Sequence, residues 1–110
     1  MKDMNLSVLD RFPDVEAEIT LNERKKHPVV SGYRPGHKIT ENYITTGTHR
    51  YINDTLFPGE TKLGTITFIS PEYYPKTLWI GKKIDIYEGE YIVGSAVITK
   101  IFNSTLLIEE

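Results

Sequence analysis

The stretch Ile84–Ile101, IDIYEGEYIVGSAVITKI, constrains this chain most. Two runs rich in β-branched and aromatic residues meet at Glu88-Gly89-Glu90, a polar break whose glycine accepts a positive φ. The pair reads as a hairpin, and a hairpin needs further strands or a packed partner to be stable in water. The second run, Tyr91–Phe102, is the longest strand expected. It reads as apolar on both faces, with Tyr91, Val93 and Val97 on one and Ile92, Ala96 and Ile98 on the other. Such a strand is covered on both sides or lies at an interface.

The rest of the chain repeats this grammar. Val15, Ala17, Ile19 and Leu21 alternate with Glu16, Glu18, Thr20 and Asn22, which predicts a half-buried strand with one wet face. Val29 and Val30 begin a short extended segment, punctuated by Gly32 and Pro35-Gly36. His37–Ile39 and Tyr43–His49 read as strands around Thr40-Glu41-Asn42, and Leu63–Ile69 as another after the Pro58-Gly59 turn. Ser70–Pro75 reads as a loop, and Leu78–Tyr87 as extended with a bend at Gly81. Six or so short strands with no convincing helix give an all-β barrel or sandwich. Residues 1–13 read as a leader in which Leu6, Leu9 and Phe12 form one helical turn stopped by Pro13. The domain is expected over 14–103, with 104–110 as a tail.

At 110 residues the chain is one domain, large enough to bury roughly 65% of its unfolded surface. It has no cysteine, so no disulfide framework is implied. Asp3, Asn5, Ser7 and Asp10 interrupt any apolar signal core, and no apolar run reaches membrane-spanning length. The expectation is a cytoplasmic protein that does not enter a membrane. A formal charge of −2 argues against a general nucleic-acid binder, and the clusters Arg24-Lys25-Lys26-His27 and Lys82-Lys83 read as solvated loop charge.

The order of short motifs adds a resemblance. Pro28-Val29-Val30-Ser31-Gly32-Tyr33-Arg34-Pro35, Thr46-Gly47-Thr48, Pro58-Gly59-Glu60, Ile69-Ser70-Pro71, Glu88-Gly89, Val93-Gly94 and Lys100-Ile101 follow one another collinearly. In that order and spacing they resemble the C-terminal, third β-barrel domain of bacterial translation elongation factor Tu. The resemblance covers about residues 15–103 and implies a six-stranded antiparallel Greek-key closed barrel, here without the GTPase domain. In that family the barrel packs on sister domains, grips the T-stem backbone of aminoacyl-tRNA and contacts the nucleotide-exchange factor. It implies that Thr46 matches the threonine approaching the T-stem, and Glu88 the acidic residue at the hairpin tip. Four departures weaken the tRNA expectation. Gly36 replaces a glutamine and Ser70 a histidine, while Tyr87 and Tyr91 replace arginines where a phosphate backbone would pass.

No catalytic constellation is read from the residues. Ile80-Gly81-Lys82-Lys83 lacks the second glycine and the hydroxyl of a phosphate loop, so GTP binding is not expected. His27, His37 and His49 fall on different expected elements and read as loop or strand-surface residues, not zinc ligands. Ser31, Ser70, Ser95 and Ser104 sit in no nucleophile setting, and Glu88 with Glu90 reads as turn charge. Tyr73 and Tyr74 read as loop caps and Trp79 as core, beside the alternatives of an RNA stacking platform or a protein-binding hot spot. No metal or cofactor is expected.

These readings lead to a non-catalytic interaction module, taking a protein partner or forming a homodimer through Arg34, Val93, Ala96, Val97 and Ile98. A mimic of the factor's third domain, competing for its exchange factor or intercepting a toxin, is the sharper form. The alternative is an RNA-binding module contacting the T-stem through Lys25, Lys26, Thr46 and Glu88.

Overall fold

The computed structural model describes residues 12–108. The helical turn expected from Leu6 and Leu9 lies outside the described residues. Phe12 sets its ring edge-on to Phe102 at 5.6 Å. Eight strands follow: β1 (Val15–Leu21), β2 (Val29–Val30), β3 (Gly36–Thr40), β4 (Tyr43–Tyr51), β5 (Thr55–Leu56), β6 (Thr61–Phe68), β7 (Lys83–Glu88) and β8 (Tyr91–Ile101). Single 3-10 turns occupy Pro71–Tyr73 and Ser104–Leu106.

Six strands close into an antiparallel barrel in the order β1-β6-β4-β3-β7-β8, with β8 pairing back onto β1. Strands β3, β4 and β6 form a meander, and β1 returns to lie beside β6. That is a Greek key, and the expected all-β, six-stranded closed barrel is the fold observed. β2 and β5 form a separate two-stranded sheet. The alternation read in β1 holds fully: Val15, Ala17, Ile19 and Leu21 are buried and Glu18 is exposed. They meet Leu56, Ile66, Phe68, Leu78, Ile84, Ile86 and Ile98 in one core.

β8 departs from the expected pattern. A bulge lies opposite the Ile86–Tyr87 step, so Val93 and Gly94 stand where a regular ladder has one residue. A second irregularity lies against the Glu16–Ala17 step of β1. The first of these puts Val93 inside the barrel with Ala96 and Ile98, although simple alternation assigns it to the opposite face. The strand is therefore not apolar on two faces over this stretch. Gly94 lies hard against β1, where a Cβ would come within 2.2 Å of Thr20 O.

The tail docks. Leu106 is fully buried, Leu78 N–H donates to Leu106 O at 2.9 Å, and Ile108 N–H donates to Leu78 O at 2.8 Å. Trp79, expected in the core, is 44% exposed and stacks with Lys82, whose Nζ lies 4.6 Å from the ring centroid. Lys82 Nζ also donates to Ile39 O and Thr77 O, each at 2.7 Å.

Candidate functional site

The barrel wall around β3 gathers most of the residues singled out from the sequence. The hairpin of β3 and β4 places Gly36 beside Thr46, and the ladder between β3 and β7 places Gly36 beside Tyr87. Tyr87 in turn pairs with Ile92 across the closing hairpin. This row, Thr46–Gly36–Tyr87–Ile92, crosses four strands. Tyr33, Arg34, Pro35, Gly36, Ile44, Thr46, Tyr87, Glu88 and Gly89 line a cleft of about 480 Å³ along it. Gly36 keeps the floor close: a Cβ there would come within 2.9 Å of Ile44 Cγ2.

Hydrogen bonding fixes one side of the cleft. Tyr33 donates its hydroxyl to the Glu88 carboxylate, which also pairs with Lys25 Nζ at 3.3 Å. Burial, and then the Glu88 carboxylate beside it, drive the Tyr33 hydroxyl pKa upward, so it stays protonated as a donor. Arg34, Ile44 and Ile92 are exposed around the opening, as are Tyr91 and Glu90 on the adjoining hairpin.

Arg34, Thr46 and Glu88 thus lie together, with Lys25 attached through its ion pair. Lys26 is exposed on the preceding loop. The proposed interface residues Val93, Ala96 and Ile98 do not belong to this surface. Their exposures of 9%, 0% and 1% place them in the core, because the β8 bulge turns them inward. Val97 faces out but stands half-buried between Glu18 and Lys83, in polar company. Ser70 precedes the Pro71–Tyr73 turn and does not line the cleft.

Directly beneath the cleft lies a feature that the sequence reading misplaced. His37 and His49, expected on the surface, are both completely buried. His37 Nδ1 faces Thr45 O at 3.2 Å, the two Nε2 atoms meet at 2.7 Å, and His49 Nδ1 lies 2.7 Å from Tyr51 Oη. A carbonyl only accepts, so His37 carries its proton on Nδ1 and its Nε2 accepts. His49 must then donate from Nε2 and accept the Tyr51 hydroxyl at Nδ1. The chain Tyr51→His49→His37→Thr45 satisfies every polar group in it with both rings neutral. Burial lowers the His37 pKa to about 4 and holds His49 well below its ordinary value, with the neighbouring His37 adding to the latter. Gly47 makes the room: a Cβ there would come within 2.9 Å of His37 Cε1.

Among the described residues no group of three or more His, Cys, Asp or Glu is arranged to hold a metal. No helix among the described residues is long and apolar enough to cross a membrane. The fold and cleft define a closed antiparallel barrel with a mixed apolar and charged groove on its wall. No protein-family model matches the sequence, and no curated protein is significantly similar to it.

Proposed function

We propose that this chain is a non-catalytic protein-interaction module that docks its partner in the cleft between β3, β4 and β7. The observation that carries this reading is the convergence of Arg34, Thr46, Tyr87 and Glu88 from separate strands and loops into one groove beside exposed Ile44 and Ile92. Tyrosine and arginine are enriched in binding hot spots, and Tyr33, Tyr87 and Arg34 all line this groove. The motif series resembling the third domain of elongation factor Tu supports the same reading, since that domain works by docking. In the sharper form, the chain competes for a protein that normally docks on the elongation factor.

Titration of purified elongation factor Tu-binding proteins, including the exchange factor, against the chain tests this. Binding that is lost in Ile44→Asp and Arg34→Glu, but kept in Glu18→Lys on the far wall, is the expected result. No binding by any of them, together with a strictly monomeric chain at high concentration, would remove the reading.

A second reading is RNA binding at the same groove. It is favoured by Thr46 in the cleft and by Lys25 and Lys26 beside it. Lys25 is already engaged by Glu88, which reduces the cationic field available to a phosphate. A salt titration of tRNA binding separates the readings: a steep slope that flattens in Lys25→Ala and Lys26→Ala favours RNA, and no binding at low salt ends it.

A further inference from the structure

We infer that the cleft takes an extended protein segment in which an Asp or Glu side chain stands among apolar residues, its carboxylate on Arg34 and its apolar neighbours against Ile44 and Ile92. This partner class rests on the cleft being the docking surface proposed above.

Unspent polar groups point to it first. Glu88 is committed, since its carboxylate accepts the Tyr33 hydroxyl and pairs with Lys25 Nζ. Arg34 is exposed at the opening, and its guanidinium has no ion pair, hydrogen bond or ring contact among the described residues. The hydroxyls of Tyr87 and Thr46, which also line the cleft, have no hydrogen-bond partner among the described residues either. One unpaired cation and two free hydroxyls call for a ligand group that is rich in acceptors and singly negative.

The base of the guanidinium is already fixed. Tyr33 O accepts from His49 N–H at 2.9 Å and Pro35 O accepts from Gly47 N–H at 3.2 Å, which ties both neighbours of Arg34 to β4. Pro35 is buried as well. A planar fork on a held backbone suits the two oxygens of a carboxylate and loses little freedom on binding it.

The apolar surroundings choose the setting of that carboxylate. The row Thr46–Gly36–Tyr87–Ile92 crosses four strands, about 14 Å at ordinary strand spacing, the reach of about four extended residues. Ile44 stands at its β4 end and Ile92 at its β8 end, each 50% exposed. A segment lying along the row brings apolar side chains to both ends and passes Arg34 on the way. A polyanion fits this surface badly. Glu88 lines the cleft, Glu90 is exposed on the adjoining hairpin, and Lys25 is already neutralised by Glu88. A run of phosphates needs several free cations along its path, and the cleft with its hairpin offers one beside two carboxylates.

Selection of a random heptapeptide library, displayed with both ends blocked, against the full chain tests this, followed by calorimetry of the recovered peptides. They should carry an Asp or Glu beside apolar residues. Changing that residue to Asn or Gln should weaken binding to the wild-type chain by about tenfold or more, and to Arg34→Gln by less than about twofold. Arg34→Lys keeps the charge without the fork and should restore only part of the difference. Both variants change an exposed side chain, and their melting curves should match the wild type. Peptides without a carboxylate, or with one that matters equally to the wild-type and Arg34→Gln chains, would overturn the inference. If such peptides are still lost in Ile44→Asp, the cleft remains a docking surface and only the acidic partner falls; if they ignore Ile44→Asp, the docking reading falls too. Recovery of no peptide also overturns the inference, while titration with the factor-binding proteins judges the docking reading separately. Displacement of the peptides by poly(U) RNA at about 150 mM salt, with the same dependence on Arg34, would assign the cleft to a polyanion instead. A dimer of the chain alone that Arg34→Gln dissociates would put a second copy in the cleft and overturn the inference as well.

Discussion

The Asp14 carboxylate accepts a hydrogen bond from the Asn103 side-chain amide at 2.9 Å, across 89 positions of sequence. The other carboxylate oxygen takes Phe68 N–H at 2.7 Å, and the Asp14 carbonyl accepts from the N–H groups of Phe102 and Asn103. One residue, 2% exposed, thereby joins the start of β1 to the ends of β6 and β8. Asp14→Ala leaves buried donors unmatched and is expected to cost about 2–4 kcal/mol, read as a lower urea midpoint at unchanged slope.

Stability should fall in acid. His37 has a folded-state pKa of about 4, below its ordinary value of 6.5, so the unfolded chain binds the proton more readily. Its contribution is present above the unfolded pKa and is lost as pH drops through the folded one. On that shift alone, moving from about pH 7.5 to 4.5 should remove on the order of 2–3 kcal/mol. Urea unfolding at the two pH values measures the loss, and the variant His37→Leu, His49→Leu, Tyr51→Phe, which keeps only His27, should show a smaller one.

Two glycines should respond differently to alanine. Gly94→Ala drives a Cβ into Thr20 O, a backbone atom, and must part β1 from β8. A loss of about 3 kcal/mol or more is expected. Gly89 has open space around it, but its φ of +61° belongs to the left-handed region. Gly89→Ala should cost about 1–2 kcal/mol. Thermal unfolding of both variants gives the ranking.

Glu88→Gln should separate binding from folding. The carboxylate is partly exposed and its pairing with Lys25 lies at the surface, so stability should change by less than about 1 kcal/mol. The cleft charge changes all the same. A protein partner held there should bind with altered affinity, measured by calorimetry, while the melting curve hardly moves.

Lys82→Met should lower stability by about 1–3 kcal/mol, because the carbonyls of Ile39 and Thr77 lose their shared donor. Trp79 is the only tryptophan, so loss of the stacked cation should also shift its fluorescence.

The strands could be read because their chemistry is local. The alternation in Val15–Leu21, the turn residues at Pro58-Gly59 and the Glu88-Gly89-Glu90 break each act within a few residues. What escaped depends on register. The slips in β8 arise from how β1 and β7 lie against it, so period-two counting put Val93 on the wrong face. The buried histidines did leave a trace. His37 shares a face with core residue Ile39, and His49 shares one with Thr45, Gly47 and Tyr51 while Arg50 points out. Polarity suggested the surface; their mutual hydrogen bonds, invisible until β3 and β4 pair, let them stay inside. The cleft was only half legible. Most of its residues, Tyr33 among them, stand in the motif series, but Ile44 completes it through strand pairing alone.

A ring of six paired strands has no free border. Extended peptides often fasten to β proteins by lengthening a sheet, with main chain bonding to main chain. Around the complete cylinder that route is shut, and so is the edge-to-edge stacking that leads to fibres. Away from the short β2–β5 sheet and the two-pair β3–β7 seam, a partner on the barrel must be told apart by the shapes and charges that protrude from its wall.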